Sequence, residues 1–271
     1  MDLAAVSATV SQVREQGWAV IEDALDEATT IRLRDAADRR WDSHHRLHPD
    51  ATFLHEFGFF ASDLTFFEML QSENVLGAVC SLLGCDIYIY IYIYHCHLNV
   101  DTGTPAARFS YDWHRDGGQI DIDLGVAGPQ MSVKVGFALS DMTDPISGQT
   151  ILVPSSHLMA QVPDVGKPQE SALAVPLPAG SALILDRRTW HSRGPNETGR
   201  RRRMLFCAFT YRWVRTRDDV VIPDATWRSL SAVGRQLAGW ANGNRSVHVP
   251  TDRDVPLRRW WASQRHADGD S

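Results

Sequence analysis

A chain of 271 residues, 44% hydrophobic and 22% charged, has ample material for one well-filled core. Its formal net charge of -6 gives no reason to expect nucleic acid or an anionic membrane as a partner, although a local pocket can be basic within an acidic whole. No apolar run reaches the ~18 residues of a membrane span, and the opening Met-Asp-Leu-Ala-Ala-Val lacks a signal peptide's basic start. The four cysteines, Cys80, Cys85, Cys96 and Cys207, form no C-x-x-C pair and read as buried reduced thiols of a cytoplasmic protein.

Taken in order, residues 3–16 carry Val6, Val10 and Val13 at spacings of four and three, one helical stripe that Gly17 ends. Residues 18–21 read as a short strand. Asp26 is then an N-cap with Glu27 in the first turn, and Ile31, Leu33, Ala36 and Ala37 form an apolar face that fades into a polar stretch around 44–48. A third helix is expected over 72–83, with Ser72 as its cap and Gly84 as its stop. From Ile87 isoleucines alternate with tyrosines to Tyr94, a period of two that marks a strand. Further strands are expected at 132–139, 150–153, 173–175, 182–185 and 204–212, separated by turn residues rather than long helices. A helix is expected over 224–238, then irregular chain with a frayed polar tail after Trp261. The fold expected is mainly β with flanking helices (α+β), a sandwich or jelly roll with N-terminal helices. One domain is expected to span 1–271, with a helical part to about 84, a β core over about 85–215 and an extension beyond.

The chemistry concentrates in two segments. His114 and Asp116 stand two apart, so on a strand they point to one side. His191 follows the strand expected at 182–185. Two imidazoles and one carboxylate make the facial triad of non-haem Fe(II) oxygenases, which leaves three coordination positions open for a bidentate cosubstrate and O2. Arg202 lies eleven residues after His191, and a hairpin through 194–199 would return it beside the metal, where a guanidinium can grip a dicarboxylate. The rest of the run 200–203 reads as a solvated basic stretch.

With these residues in hand, the sequence resembles the phytanoyl-CoA dioxygenase family of Fe(II)/2-oxoglutarate oxygenases over most of its length. The likeness is carried by Gln16-Gly17-Trp18 and the following strand, by Trp113-His114-Arg115-Asp116, by 148–157 ending in Pro154-Ser155-Ser156-His157, and by 178–196 with the His-to-Arg spacing of eleven. The resemblance implies a double-stranded β-helix (jelly roll, cupin-like) core and Fe(II), with 2-oxoglutarate and O2 as cosubstrates. It implies His114, Asp116 and His191 as ligands and Arg202 on the far carboxylate of 2-oxoglutarate. It also suggests Asn99 as a polar contact to the cosubstrate, and Lys134 and Phe137 on a strand passing beside it. The reaction expected is hydroxylation of an unactivated C–H bond of a small molecule in secondary metabolism; desaturation, epoxidation or ring formation remain open, as does a catalytically silent jelly-roll binding protein. Arg115, Gln119 and Arg193 flank the ligands and are candidate substrate contacts, and 117–118 with 121–128 could form a lid.

Two departures stand out. Ser155 replaces the family's usual glycine, and Arg193 stands where the family often carries serine. Asp116 is present where related halogenases have a small residue, which disfavours halogenation. Of the remaining residues, His44, His45, His48 and His55 read as a solvated stretch, although 53–60 could fold over the site mouth. His95 and His97 are weighed as a second metal motif and set aside. The tyrosine ladder and Trp190 read as packing residues.

Overall fold

The structure, a computed structural model, describes residues 1–61, 63–89, 96–103, 109–116, 128–160, 162–214, 222–239 and 250–267. Helix α1 (Leu3–Gln16) is capped by the Asp2 carboxylate and stopped by Gly17 in the left-handed conformation, φ 82°. It presents Val6, Val10 and Val13 inward. Strand β1 (Trp18–Ile21) follows, then α2 (Glu27–Leu47), capped by Asp26 and running through the polar stretch that the sequence reading treated as a fading end. Its buried stripe, Leu33, Ala36, Ala37 and Trp41, extends the expected face by another turn, while Ile31 points outward. Strand β2 (Phe53–Phe57) was not anticipated. Helix α3 (Glu73–Leu83) begins after Ser72 and ends at Gly84 as expected.

The remaining strands are β3 (Ile87–Ile89), β4 (His97–Asp101), β5 (Ser132–Ala138), β6 (Thr150–Leu152), β7 (Leu173–Val175), β8 (Ala182–Asp186), β9 (His191–Arg193) and β10 (Arg202–Tyr211). The larger sheet runs β1-β8-β5-β10-β4-β2, with β3 on the far end of β10. The smaller runs β7-β6-β9, and a bridge between His191 and His114 adds the His-x-Asp segment beside β9. All of these pairings are antiparallel. The two sheets close on one another through Leu152 and Val175 from the smaller and Leu183, Leu185, Met204 and Phe206 from the larger. This is the jelly-roll architecture expected from the strand pattern. The outer face of the large sheet, with Val133, Val135, Phe137, Leu205 and Phe209, packs under the N-terminal helices in a second core.

Two expectations are corrected. The helix expected over 224–238 is two, α4 (Asp224–Ser229) and α5 (Ala232–Leu237), because the Ser231 side chain accepts the Gly234 N–H and starts a new helix. The tail is not frayed at Trp261: α6 (Pro256–Ala267) continues through it. Of the isoleucine–tyrosine run only Ile87, Tyr88 and Ile89 are described, and all three are buried, with the Tyr88 hydroxyl donating to the Val214 carbonyl. The rest of that run, His95, Gln119 and, of the expected lid, 117–118 and 121–127 lie outside the described residues.

Candidate metal centre and its pocket

His114 and His191 sit opposite each other, each backbone N–H donating to the other's carbonyl at 3.0 Å. This pairing brings the rings to a centroid distance of 4.2 Å. The Asp116 N–H donates to the Arg187 carbonyl at 3.0 Å, which sets the carboxylate on the same side. One donor atom from each of His114, Asp116 and His191 lies within 4.8 Å of the other two. Both rings are oriented by their own chain. Nδ1 of His114 faces the Asp112 carbonyl at 2.8 Å, and Nδ1 of His191 faces the Thr189 carbonyl at 2.9 Å. A carbonyl only accepts, so each Nδ1 carries the proton and each Nε2 keeps its lone pair. Burial, with His114 beside it, pushes the His191 pKa down to about 3, so its ring is neutral at ordinary pH. Two imidazoles and a carboxylate suit a first-row divalent ion such as Fe(II). His114 is the exposed member of the set and marks the open side.

The segment before His191 is held by the pieces of sequence that carried the resemblance. The Gly17 carbonyl accepts from the Thr189 hydroxyl and the Asp186 N–H, both at 2.8 Å. The Ser156 hydroxyl accepts the Trp190 N–H at 2.8 Å. His157 Nε2 donates to the Arg14 carbonyl at 3.0 Å, tying this turn to the end of α1. Ser155 occupies the family's glycine position at φ 59°, and its hydroxyl donates to the Glu15 carbonyl at 3.0 Å. The serine thus holds the left-handed conformation that glycine favours.

On the inner face of the large sheet, Arg202 is 3% exposed. Its Nε donates to the Gly148 carbonyl at 2.6 Å and its Nη1 to Asn99 Oδ1 at 2.8 Å. Gly148 combines φ 77° with a position where a Cβ would lie 2.7 Å from Arg202 Cδ, so glycine is needed twice over. Burial and the neighbouring Arg193 lower the Arg202 pKa to about 9, which leaves it cationic at neutral pH. Arg193, two residues after His191, lies 3.1 Å from the fully buried Asp101 carboxylate and over the Phe53 ring at 4.5 Å. Lys134 reaches Asp116 Oδ1 at 3.0 Å and sits 4.8 Å above the Phe206 ring.

Asn99, Lys134, Arg193 and Arg202 therefore share the inner side with the triad. Phe137 does not: it is three residues from Lys134, faces the helices and is fully buried in the outer core, so the expected cosubstrate contact is corrected. Arg115 is also corrected. Lying between two inward residues, it points the other way, donates to the Ser156 and Met159 carbonyls at 2.6 and 2.7 Å, and covers Trp190. His55, His97 and Phe206 form a wall of the site that no sequence motif marked. Register places His55 opposite Asn99, and Phe57 and Phe206 opposite His97. The His55 and His97 rings are 4.1 Å apart, and His97 lies 4.6 Å from Phe206. His55 is open to water yet ringed by protein, and burial with Lys134 and Arg193 lowers its pKa to about 4. The alternation of Phe53, His55 and Phe57 was the signal available for this wall.

A jelly roll with two histidines and a carboxylate converging inside it defines a metal-site protein of the cupin-like class. The phytanoyl-CoA dioxygenase (PhyH) family matches residues 13–204, and the chain belongs to that family. Two uncharacterized proteins, Mb1539 of Mycobacterium bovis and Rv1501 of Mycobacterium tuberculosis, are each 27% identical over 235 residues, covering 83% of this chain and 83% of their own. Among solved structures, the fold is similar to SnoN, a non-heme alpha-ketoglutarate-dependent epimerase from nogalamycin biosynthesis. One SnoN structure gives a TM-score of 0.56 at 18% identity, over 77% of this chain and 84% of that one. A second, in complex with Fe3+, alpha-ketoglutarate and nogalamycin RO, gives 0.59 at 17% identity over 93% and 98%. No described helix is long and apolar enough to cross a membrane.

Proposed function

We propose that this chain is an Fe(II)- and 2-oxoglutarate-dependent oxygenase that oxidises, by hydroxylation, an unactivated C–H bond of a small molecule. The observation that carries the reading is the three-donor set of His114, Asp116 and His191, with donor atoms within 4.8 Å of one another. The site fits Fe(II) by its donor chemistry. Bound there, the metal with 2-oxoglutarate and O2 supplies the oxidising power, and the protein's part is placement.

His114 and His191 offer Nε2 lone pairs fixed by the carbonyls behind them. Arg202, held by Gly148 and Asn99, offers its remaining N–H groups to the far carboxylate of the cosubstrate. His55 and Phe57, both open to water, form the wall a substrate would meet. SnoN's place in nogalamycin biosynthesis lends support to a role in secondary metabolism. It also lends support to a second outcome, inversion of a carbon centre, since both begin with removal of hydrogen.

Anaerobic addition of Fe(II) and 2-oxoglutarate tests the reading. The weak visible charge-transfer band of the chelate is expected, followed by succinate release on admission of O2. Neither band nor succinate would mean a silent binding protein. Once a substrate is found, label from 18O2 in the product separates hydroxylation and epoxidation from desaturation, ring formation and inversion.

A further inference from the structure

We propose that Lys134 is a positioning residue that holds Asp116 to a single metal-facing oxygen and thereby keeps one coordination position open for O2. The inference rests on the iron and 2-oxoglutarate reading and deepens it. An octahedral ion bound by two imidazoles and one carboxylate oxygen keeps three positions. A chelating 2-oxoglutarate takes two of them. If both oxygens of Asp116 bound, the last position would be lost.

The geometry divides the two oxygens of Asp116. Lys134 Nζ donates to Oδ1 at 3.0 Å, whereas Oδ2 is the oxygen facing His191 Nε2, at 4.0 Å. Both side chains are almost wholly buried, 5% exposed for Lys134 and 2% for Asp116. In such a setting a charge-assisted hydrogen bond is strong, and an ammonium stripped of its carboxylate is costly, so the contact resists exchange. The lysine has a fixed seat. Its Nζ rests above the Phe206 ring, and that ring packs over Gly136, where a Cβ would lie 2.7 Å from Phe206 Cε1. Gly136 and Lys134 share the inner face of β5, so the strand supplies the donor, and its missing side chain makes room for the platform. A neutral apolar residue at 134 would remove the lysine's hold on Oδ1 and let it approach the metal.

The test counts metal-bound water with Mn(II) as probe, by water-proton relaxation, with and without 2-oxoglutarate and with no turnover. Wild type is expected to keep inner-sphere water after 2-oxoglutarate binds. Lys134→Met is expected to lose about one third of the inner-sphere water in the binary complex and nearly all of it in the ternary one, by the position count above. Lys134→Arg, which keeps charge and donor, is expected to restore it. Lys134→Leu serves in place of Met if the latter fails to fold, with water loss again expected. Unchanged water in Met or Leu overturns the proposal, as does a loss of 2-oxoglutarate affinity with the water count intact, which would make Lys134 a cosubstrate ligand. Failure of the parent reading looks different: wild type itself would bind no Mn(II), or 2-oxoglutarate would displace no water.

Discussion

Strand β5 presents two unlike surfaces. Outward, Val133, Val135 and Phe137 are fully buried against the helical layer. Inward, Lys134 pairs with Asp116, Gly136 makes way for Phe206, and Ala138 joins the smaller core between the sheets. A period of two therefore splits one strand into a face that contributes stability and a face that carries chemistry. The inner face pays for its function with buried charge: Lys134, Asp116, Arg202 and Asp101 are all 5% exposed or less. Such groups repay their desolvation only in good pairs, whereas the outer face gains from every apolar contact.

Acid should separate the faces most widely, because only the inner one titrates. His191 in the folded chain has its pKa lowered from 6.5 to about 3. Between those values the unfolded chain takes up a proton that the folded chain refuses, so stability rises with pH through the window. It is fully present above about 6.5 and is lost as pH falls toward about 3. His55, lowered to about 4, acts with the same sign, but its ring is open to water and its share is smaller. Thermal unfolding of the metal-free protein should show the midpoint dropping across this window. His191→Gln should flatten most of that slope, and a slope equal to wild type would mean that the burial of His191 is not what makes the fold acid-sensitive.

Phe137→Ala tests the other face. Deleting a fully buried aromatic side chain costs about 3–5 kcal/mol, and this one lies wholly in the outer core. Denaturant unfolding should register that loss, while Fe(II) and 2-oxoglutarate affinities of the folded fraction stay close to wild type. A selective fall in 2-oxoglutarate affinity would reverse the assignment of Phe137 to the structural face.

How much of this was legible depended on whether the signal was local. The strands at 173–175 and 182–185 rest on backbone periodicity and turn chemistry, and the structure has them where expected; the bridge at His114 lays the His-x-Asp segment beside β9. Arg115 and Phe137 went astray on the same local rule, since a neighbour of an inward residue, or a residue three away from one, must face outward. His55 and His97 could not be read that way. They become neighbours only because β2 pairs with β4, a contact across some forty residues whose register no local pattern states. Arg193 was visible as a departure, but its partner Asp101 was not, because the pair forms only when β9 of the smaller sheet faces β4 of the larger.

Arg202 sharpens the comparison within the inner face, since it sits there without being a metal ligand. Arg202→Ala removes a buried cation whose Nε and Nη1 satisfy the Gly148 carbonyl and Asn99 Oδ1. Losing one partner of a buried, hydrogen-bonded charge pair costs about 2–5 kcal/mol in binding, or roughly 30-fold to several thousandfold in 2-oxoglutarate affinity. The metal ligands keep their own anchors in the Asp112 and Thr189 carbonyls, so Fe(II) affinity should change little. Arg202→Lys should recover only part of the loss, because an ammonium restores the charge but not the fork that reaches Gly148, Asn99 and a carboxylate together. Anaerobic titration with the chelate band as readout, followed by metal binding without cosubstrate, separates the two quantities. Equal loss of both would place Arg202 in the support of the triad; a loss confined to 2-oxoglutarate would place it at the cosubstrate's far end.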